Sequence, residues 1–190
     1  MRRILLICVF LAFLTACSAP QSVDIPTAAR QAFAASAFSA EVRISADFGD
    51  RVCDFTVAYS GAADGSATIK VLEPKEIAGI TARVGATQTS LVYDGLILEL
   101  GRLDGSAMTP CDAAVSVVRA LREGRAAESG RADLNGVACN QITYTALENG
   151  KTVQRQVWLD AATLVPLHAE ILADGRRVVT CEFSGATIGE

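Results

Sequence analysis

Five times in this chain an Asp-Gly or Asn-Gly pair interrupts a stretch of strand-like sequence: Asp64-Gly65, Asp94-Gly95, Asn135-Gly136, Asn149-Gly150 and Asp174-Gly175. Such pairs take the positive φ angles of a two-residue hairpin turn with little strain. A turn this short joins only antiparallel strands, because a parallel crossover needs a dozen residues or more. The chain is therefore committed to a large antiparallel sheet.

The segments between the turns fit that assignment. In Glu41 to Asp47, Val42, Ile44 and Ala46 share one face, and Glu41, Arg43, Ser45 and Asp47 the other. After Gly49-Asp50, residues Cys53, Phe55, Val57 and Tyr59 alternate with Val52, Asp54, Thr56 and Ala58. A period of two is the mark of a strand with one buried face. The pattern predicts ten or eleven short strands, at 41–47, 51–60, 66–72, 79–85, 89–93, 96–100, 126–134, 137–147, 152–160, 164–172 and 176–184. Two stretches break the period. Ala29, Ala32, Phe33 and Ser36 fall at helical spacing, predicting a helix over 26–37. Thr109-Pro110 opens a second helix, a capping residue before the residue favoured at the first helical position. Cys111, Ala114, Val118 and Leu121 form its apolar stripe, and Gly124 closes it.

The start of the chain is of another kind. Arg2 and Arg3 precede an uncharged apolar run from Ile4 to Leu14, followed by Thr15, Ala16 and Cys17. A charged start, a short apolar core and small residues before a cut make an export signal. The run is too short to span a bilayer, which takes about 20 residues. Leu14-Thr15-Ala16-Cys17 resembles the lipobox of bacterial lipoproteins. The resemblance implies cleavage before Cys17, a diacylglycerol on its sulfur and acylation of the new amine. An ordinary cut after Ala16 or Ala19, freeing a soluble protein, is the alternative. The expected organisation is a signal peptide at 1–16, a lipidated tether at 17–28 containing Pro20 and Pro26, and one domain at 29–190.

Without residues 1–16 the chain keeps 15 basic and 21 acidic residues, a formal charge of −6. That balance excludes nucleic acid, whose affinity comes largely from neutralised phosphates. It also excludes electrostatic docking on anionic lipid, which needs clustered Lys and Arg. The cysteines left after Cys8 and Cys17 are Cys53, Cys111, Cys139 and Cys181, in a compartment that permits disulfides. A Cys53–Cys111 link from sheet to helix is one reading, and small buried thiols the other. There is no CxxC pair and a single histidine, so no metal site and no cofactor is expected. His168 lies in a strand beside Pro166, and the sequence offers it no partnered nucleophile, so catalysis is not expected.

The order of elements resembles the LolA/LolB-like fold, in which a helix and a curved, unclosed antiparallel half-barrel are lidded by helices inserted partway. Ser66 to Pro74 (SATIKVLEP), Leu91 to Leu98 (LVYDGLIL) and Val157 to Pro166 (VWLDAATLVP) resemble its proline-ended strand, its hydrophobic hairpin and its Trp-x-Asp hairpin. The resemblance covers roughly residues 30 to 187 and implies an α+β half-barrel whose cavity holds the acyl chains of a lipid or lipoprotein. Phe55, Val57, Tyr59, Ile69, Val71, Val118 and Leu121 are the candidate cavity wall, and equally the candidates for a plain core. Two family features have no counterpart assignable by motif. One is a gating arginine, for which Arg43, Arg83 and Arg155 all sit in strands; the other is a protruding apolar loop. The expectation is a lipid-anchored, non-enzymatic, extracytoplasmic protein on a plasma or outer membrane that binds a hydrophobic ligand. The alternative is a lipid-anchored interaction module that presents a filled domain to another cell-envelope protein.

Overall fold

The computed structural model describes residues 24–85, 88–101 and 110–189. Helix α1 (Ile25–Ala34) leads into strands β1 (Ala37–Asp47), β2 (Val52–Gly61) and β3 (Ala67–Glu73). A short 3-10 turn (Lys75–Ile77) follows, then β4 (Thr81–Val84), β5 (Thr89–Tyr93) and β6 (Leu96–Gly101). Helix α2 (Pro110–Glu123) precedes β7 (Ala126–Leu134), β8 (Val137–Glu148), β9 (Lys151–Asp160), β10 (Pro166–Ala173) and β11 (Arg176–Gly189). All eleven strands form one antiparallel sheet in the order β6-β5-β4-β3-β2-β1-β11-β10-β9-β8-β7. The sheet is unclosed, with β6 and β7 at its edges, and the helices fill its concave side. This is the α+β half-barrel that the sequence predicts.

The hairpins form where the turn chemistry places them. Asp94, Asn135, Asn149 and Asp174 have φ between 48° and 54°, each followed by a glycine at 77° to 87°. Both central residues have positive φ, as the mirror-image turn that matches the strand twist requires.

Alternation decides which side chains meet the helices. On β1, Phe38, Ala40, Val42, Ile44 and Ala46 point inward and are at most 6% exposed. Val57 and Tyr59 continue this face on β2, Ile69 and Val71 on β3, and Ala82 and Val84 on β4. On the other side it runs through Val179, Cys181 and Phe183 to Ala169, Ile171, Val157, Leu159 and Ile142. Phe38 gathers Phe33, Tyr59 and Phe183 around it, with ring centroids at 5.4, 5.7 and 6.4 Å. Those spacings suit tilted aromatic pairs.

Helix α2 is more deeply enclosed than an amphipathic lid. Every residue from Asp112 to Val118 is buried, polar Asp112 and Ser116 included. It lies against β1, β9 and β11, with α1 packed on it and reaching β7 and β8. Arg122 fastens the two helices together. Its Nε donates to the carbonyl of Phe33 at 3.1 Å and its Nη2 to that of Ser36 at 2.9 Å. The Phe33 carbonyl is an orphan of the last turn of α1, and that of Ser36 lies in the link to β1.

Three boundaries differ from the sequence expectation. Helix α1 stops at Ala34, because Phe38 and Ala40 are drawn into the sheet as part of β1. It starts at Ile25, inside the stretch assigned to the tether, and Ile25 packs against the core. Strand β11 runs on to Gly189, where it pairs with Ala37 of β1.

Candidate functional site

The concave face changes character between β4 and β5. Ala82 pairs with Leu91 and Val84 with Thr89, so Leu91, Thr89 and Tyr93 continue the inward face on β5. Leu91 pairs with Leu98 and Tyr93 with Leu96, which carries that face onto β6. Up to β4 these side chains are buried in the core cluster. Beyond it Tyr93 is 49% exposed, Leu98 60% and Leu96 75%. The helices make their main sheet contacts with β1, β7, β8, β9 and β11, away from this wing. The result is an apolar shelf, continuous with the core but open to solvent. At its inner end the hydroxyl of Thr89 is buried without a hydrogen-bond partner. A buried hydroxyl left unpaired costs about 1–3 kcal/mol.

The expected cavity wall lies elsewhere. Val57, Tyr59, Ile69, Val71, Val118 and Leu121 are 0–4% exposed and belong to one packed cluster. These six side chains are core residues, as the plain-core alternative has it. Phe55, the seventh, is half-buried at the edge of this core beside a cleft with Arg43, Glu73 and Lys75. Burial raises the pKa of the Tyr59 hydroxyl to about 12. Phe33, Phe38, Val117 and Leu121 fill the space between helices and sheet that a cavity would need.

Cys53 is a half-buried free thiol on β2, so the Cys53–Cys111 link is not formed; the side chain of Cys111 lies outside the described residues. Cys139 and Cys181 are buried thiols. Complete enclosure pushes Cys181 up to about 12. Lipidation at Cys17 also falls outside the described residues.

Among the three strand arginines, Arg43 and Arg83 point outward, whereas Arg155 points in. It occupies the inward slot between Val153 and Val157, 5% exposed. Its Nη1 and Nη2 each meet a Glu148 carboxylate oxygen at 2.9 Å. This bidentate pair satisfies a charge that would be costly to bury alone. It sits beside a cleft of about 280 Å³ between the last turn of α2 and β8. The sequence carries the signal, a charge breaking an apolar alternation, but not its partner.

A larger open groove, about 700 Å³, lies over β2 to β6, and Thr68, Arg83, Ser90 and Glu99 cross it in register on the convex face. Its lining mixes these polar side chains with Ala37, Ala62 and Ile97. His168 lies edge-on to Trp158, ring centroids 5.1 Å apart. Its nitrogens are 3.5 and 3.7 Å from Glu182 and Glu170, too far for good hydrogen bonds. Among the described residues no cluster of three His, Cys, Asp or Glu side chains is placed to hold a metal ion.

No protein-family model matches the chain, and no curated protein matches it in sequence. Solved structures do share its fold. An uncharacterized conserved protein from Thermus thermophilus superposes with a TM-score of 0.55 at 9% identity, over 88% of this chain and 87% of that one. A candidate outer membrane lipoprotein-sorting protein domain from Vibrio parahaemolyticus gives 0.51 at 12% identity, over 86% and 90%. The architecture is common to all three. Identities this low speak to fold alone.

Proposed function

We propose that this is an exported lipoprotein that binds a hydrophobic ligand, an acyl chain, on the open shelf of β5 and β6. The carrying observation is that one continuous inward face is sealed up to β4 and left 49–75% exposed at Tyr93, Leu96 and Leu98. Exposed apolar surface adjoining a core is costly in water, and binding an apolar partner relieves the cost. The lipoprotein-sorting role given to the Vibrio domain is in keeping with the same reading.

In this reading residues 1–16 are removed, Cys17 carries the lipid, and the protein stands on the extracytoplasmic face of its membrane without enzymatic activity. In a two-membrane envelope Ser18 does not resemble the aspartate that signals inner-membrane retention, so the outer membrane is the destination. With one membrane, it is the outer face of the plasma membrane.

The packed interior favours a second reading, an interaction module that displays a solid domain to an envelope protein. Native mass spectrometry of residues 18–190, before and after organic extraction, separates the two. A stoichiometric lipid lost on extraction, and absent from Leu98→Asp, supports ligand binding. A clean mass that takes up no added fatty acid or phospholipid supports the module. Replacing Cys17 with Ala tests the anchor separately, by release from the membrane fraction.

A further inference from the structure

The exposed apolar side chains are not scattered. In an antiparallel sheet successive turns alternate between its two ends, and β1 pairing with β11 keeps the ends in register across the centre. The turns β1–β2, β3–β4, β5–β6, β8–β9 and β10–β11 therefore share one end. Large hydrophobic residues exposed among the described residues are Phe48, Val52, Tyr93, Leu96, Ile97, Leu98, Leu147 and Val137. All but Val137 lie at or near the turns of that end. Inward and outward strand positions both contribute, so a rim of hairpin tips is apolar rather than one face of the sheet. Val137 stands at the opposite end, beside the β7–β8 turn.

We propose that this rim rests in the interfacial layer of the lipid bilayer that carries the anchor, with the β5–β6 tip inserted. The inference rests on the lipid-anchored reading above. If Cys17 holds the lipid, residues 18–24 separate it from α1. Seven residues span at most about 25 Å when fully extended. The domain is thus confined to the membrane surface, where an apolar rim meets lipid before any other partner. Charge points to the same occupant. Asp47 at the rim is bridged to Arg176 at 2.9 Å, and the Arg51 guanidinium lies 5.7 Å from the centre of the Phe48 ring. The rim also carries exposed charges of both signs, Asp50, Lys75, Glu76, Asp94 and Lys151, and the protein has no basic cluster of the kind an anionic headgroup would need. The rim therefore fits the acyl–headgroup boundary and not an anionic headgroup. Tyr93 and Leu96 belong to both the rim and the shelf. Docking this way opens the shelf directly onto the acyl layer from which its ligand comes.

The test uses the full chain, expressed with its own signal, purified from membranes and reconstituted into vesicles of bromine-bearing phosphatidylcholine. Leu96→Trp, with Tyr93→Trp as a second probe, places an indole at the tip, and Val137→Trp places one at the far end. Bromine quenches only an indole that enters the acyl region. The expected result is about a twofold loss of the added emission for the tip variants, consistent with burial of roughly 5–10 Å. The emission added by Val137→Trp stays unchanged, and so does the quenching of the tip variants in high salt. Unquenched tip variants in vesicles that carry the protein overturn the docking proposal and leave the anchor intact, whether the tip stays in water or is covered by a second copy. Protein that fails to float with the vesicles overturns the anchor reading and the docking together.

Discussion

The strands β1 to β4 and the hairpin β5–β6 carry the same alternation and present their apolar residues to the same concave side, yet they live in different solvents. Ile44 and Ile69 are fully enclosed, whereas Leu96 and Leu98, farther out on the same sheet, stand mostly in water. The difference is not made by the strands. It is made by the packed cluster around Phe33, Phe38, Val118 and Leu121, which takes in Tyr59, Ile69 and Val71 but not Leu96 or Leu98. Periodicity therefore tells which way a side chain points, and coverage tells what it meets there.

The largest effect that would sharpen this contrast comes from matched truncations. Ile44→Ala or Leu159→Ala removes packed methyl groups and leaves a cavity, and should cost about 2–5 kcal/mol. Leu98→Ala, with the same chemistry on the open wing, should cost well under about 1 kcal/mol and act on ligand uptake instead. Urea unfolding of the three variants measures the stabilities. Equal losses would mean that the wing is as well packed as the centre.

Arg122 tests how the covered half keeps its lid. Arg122→Met retains the stem but leaves the Phe33 and Ser36 carbonyls without their donors, for an expected loss of about 1–3 kcal/mol. Hydrogen exchange should rise in α1 and α2 while the β5–β6 amides stay unchanged. Faster exchange across both regions would contradict an independent wing.

Alkaline pH distinguishes the halves again. Cys181 and the hydroxyls of Tyr59 and Tyr144 are all raised to about 12 by burial, from ordinary values of 9 and 10. A raised group ionises first in the unfolded chain. Its contribution is fully present below its ordinary value, 9 for the thiol and 10 for the hydroxyls, and is lost as pH climbs toward about 12. The urea midpoint should fall across that window, and Cys181→Val should flatten the fall. A fall that Cys181→Val leaves unchanged would mean that the thiol is not its source and would leave it to the Tyr59 and Tyr144 hydroxyls.

The smallest effect is local to the hairpin. Gly95 sits at φ 77°, a region a side chain disfavours, so Gly95→Ala should cost about 1 kcal/mol. Because the wing is peripheral, the loss should show as faster exchange in β5–β6 more than as a lower global midpoint.

Much of this architecture is legible in the amino-acid sequence, and the reason is turn chemistry. Asp94-Gly95, Asn149-Gly150 and their counterparts fix where strands end within a residue or two. The alternation of Val42, Ile44 and Ala46 fixes which side faces in. The misplaced boundaries have a common cause. Ala34 to Ala40 is rich in small helix-formers, and only tertiary contact with Phe33, Tyr59 and Phe183 makes Phe38 a strand residue. The candidate site is obscured for the same kind of reason. Val57 and Ile69 are recognisable as inward, but their contact with a packed core rather than a cavity depends on α2, whose residues Asp112 to Val118 are buried whatever their polarity. Leu96 to Leu98 read as ordinary strand sequence, because nothing in a single strand records how little of the described structure lies over it.

The strand order also bears on how the chain reaches this state. Strands β2 to β6 are laid down one hairpin after another, and so are β7 to β11, so each group can zip up from local turns. The seam between them joins β1 to β11, with Ser39 set opposite Thr187, 148 positions later. A chain made from its N-terminus has an unsatisfied edge on β1 through nearly all of its synthesis. Closure waits for the 14 residues of β11, and until then the most deeply enclosed strand of the finished sheet is also the one most in need of protection.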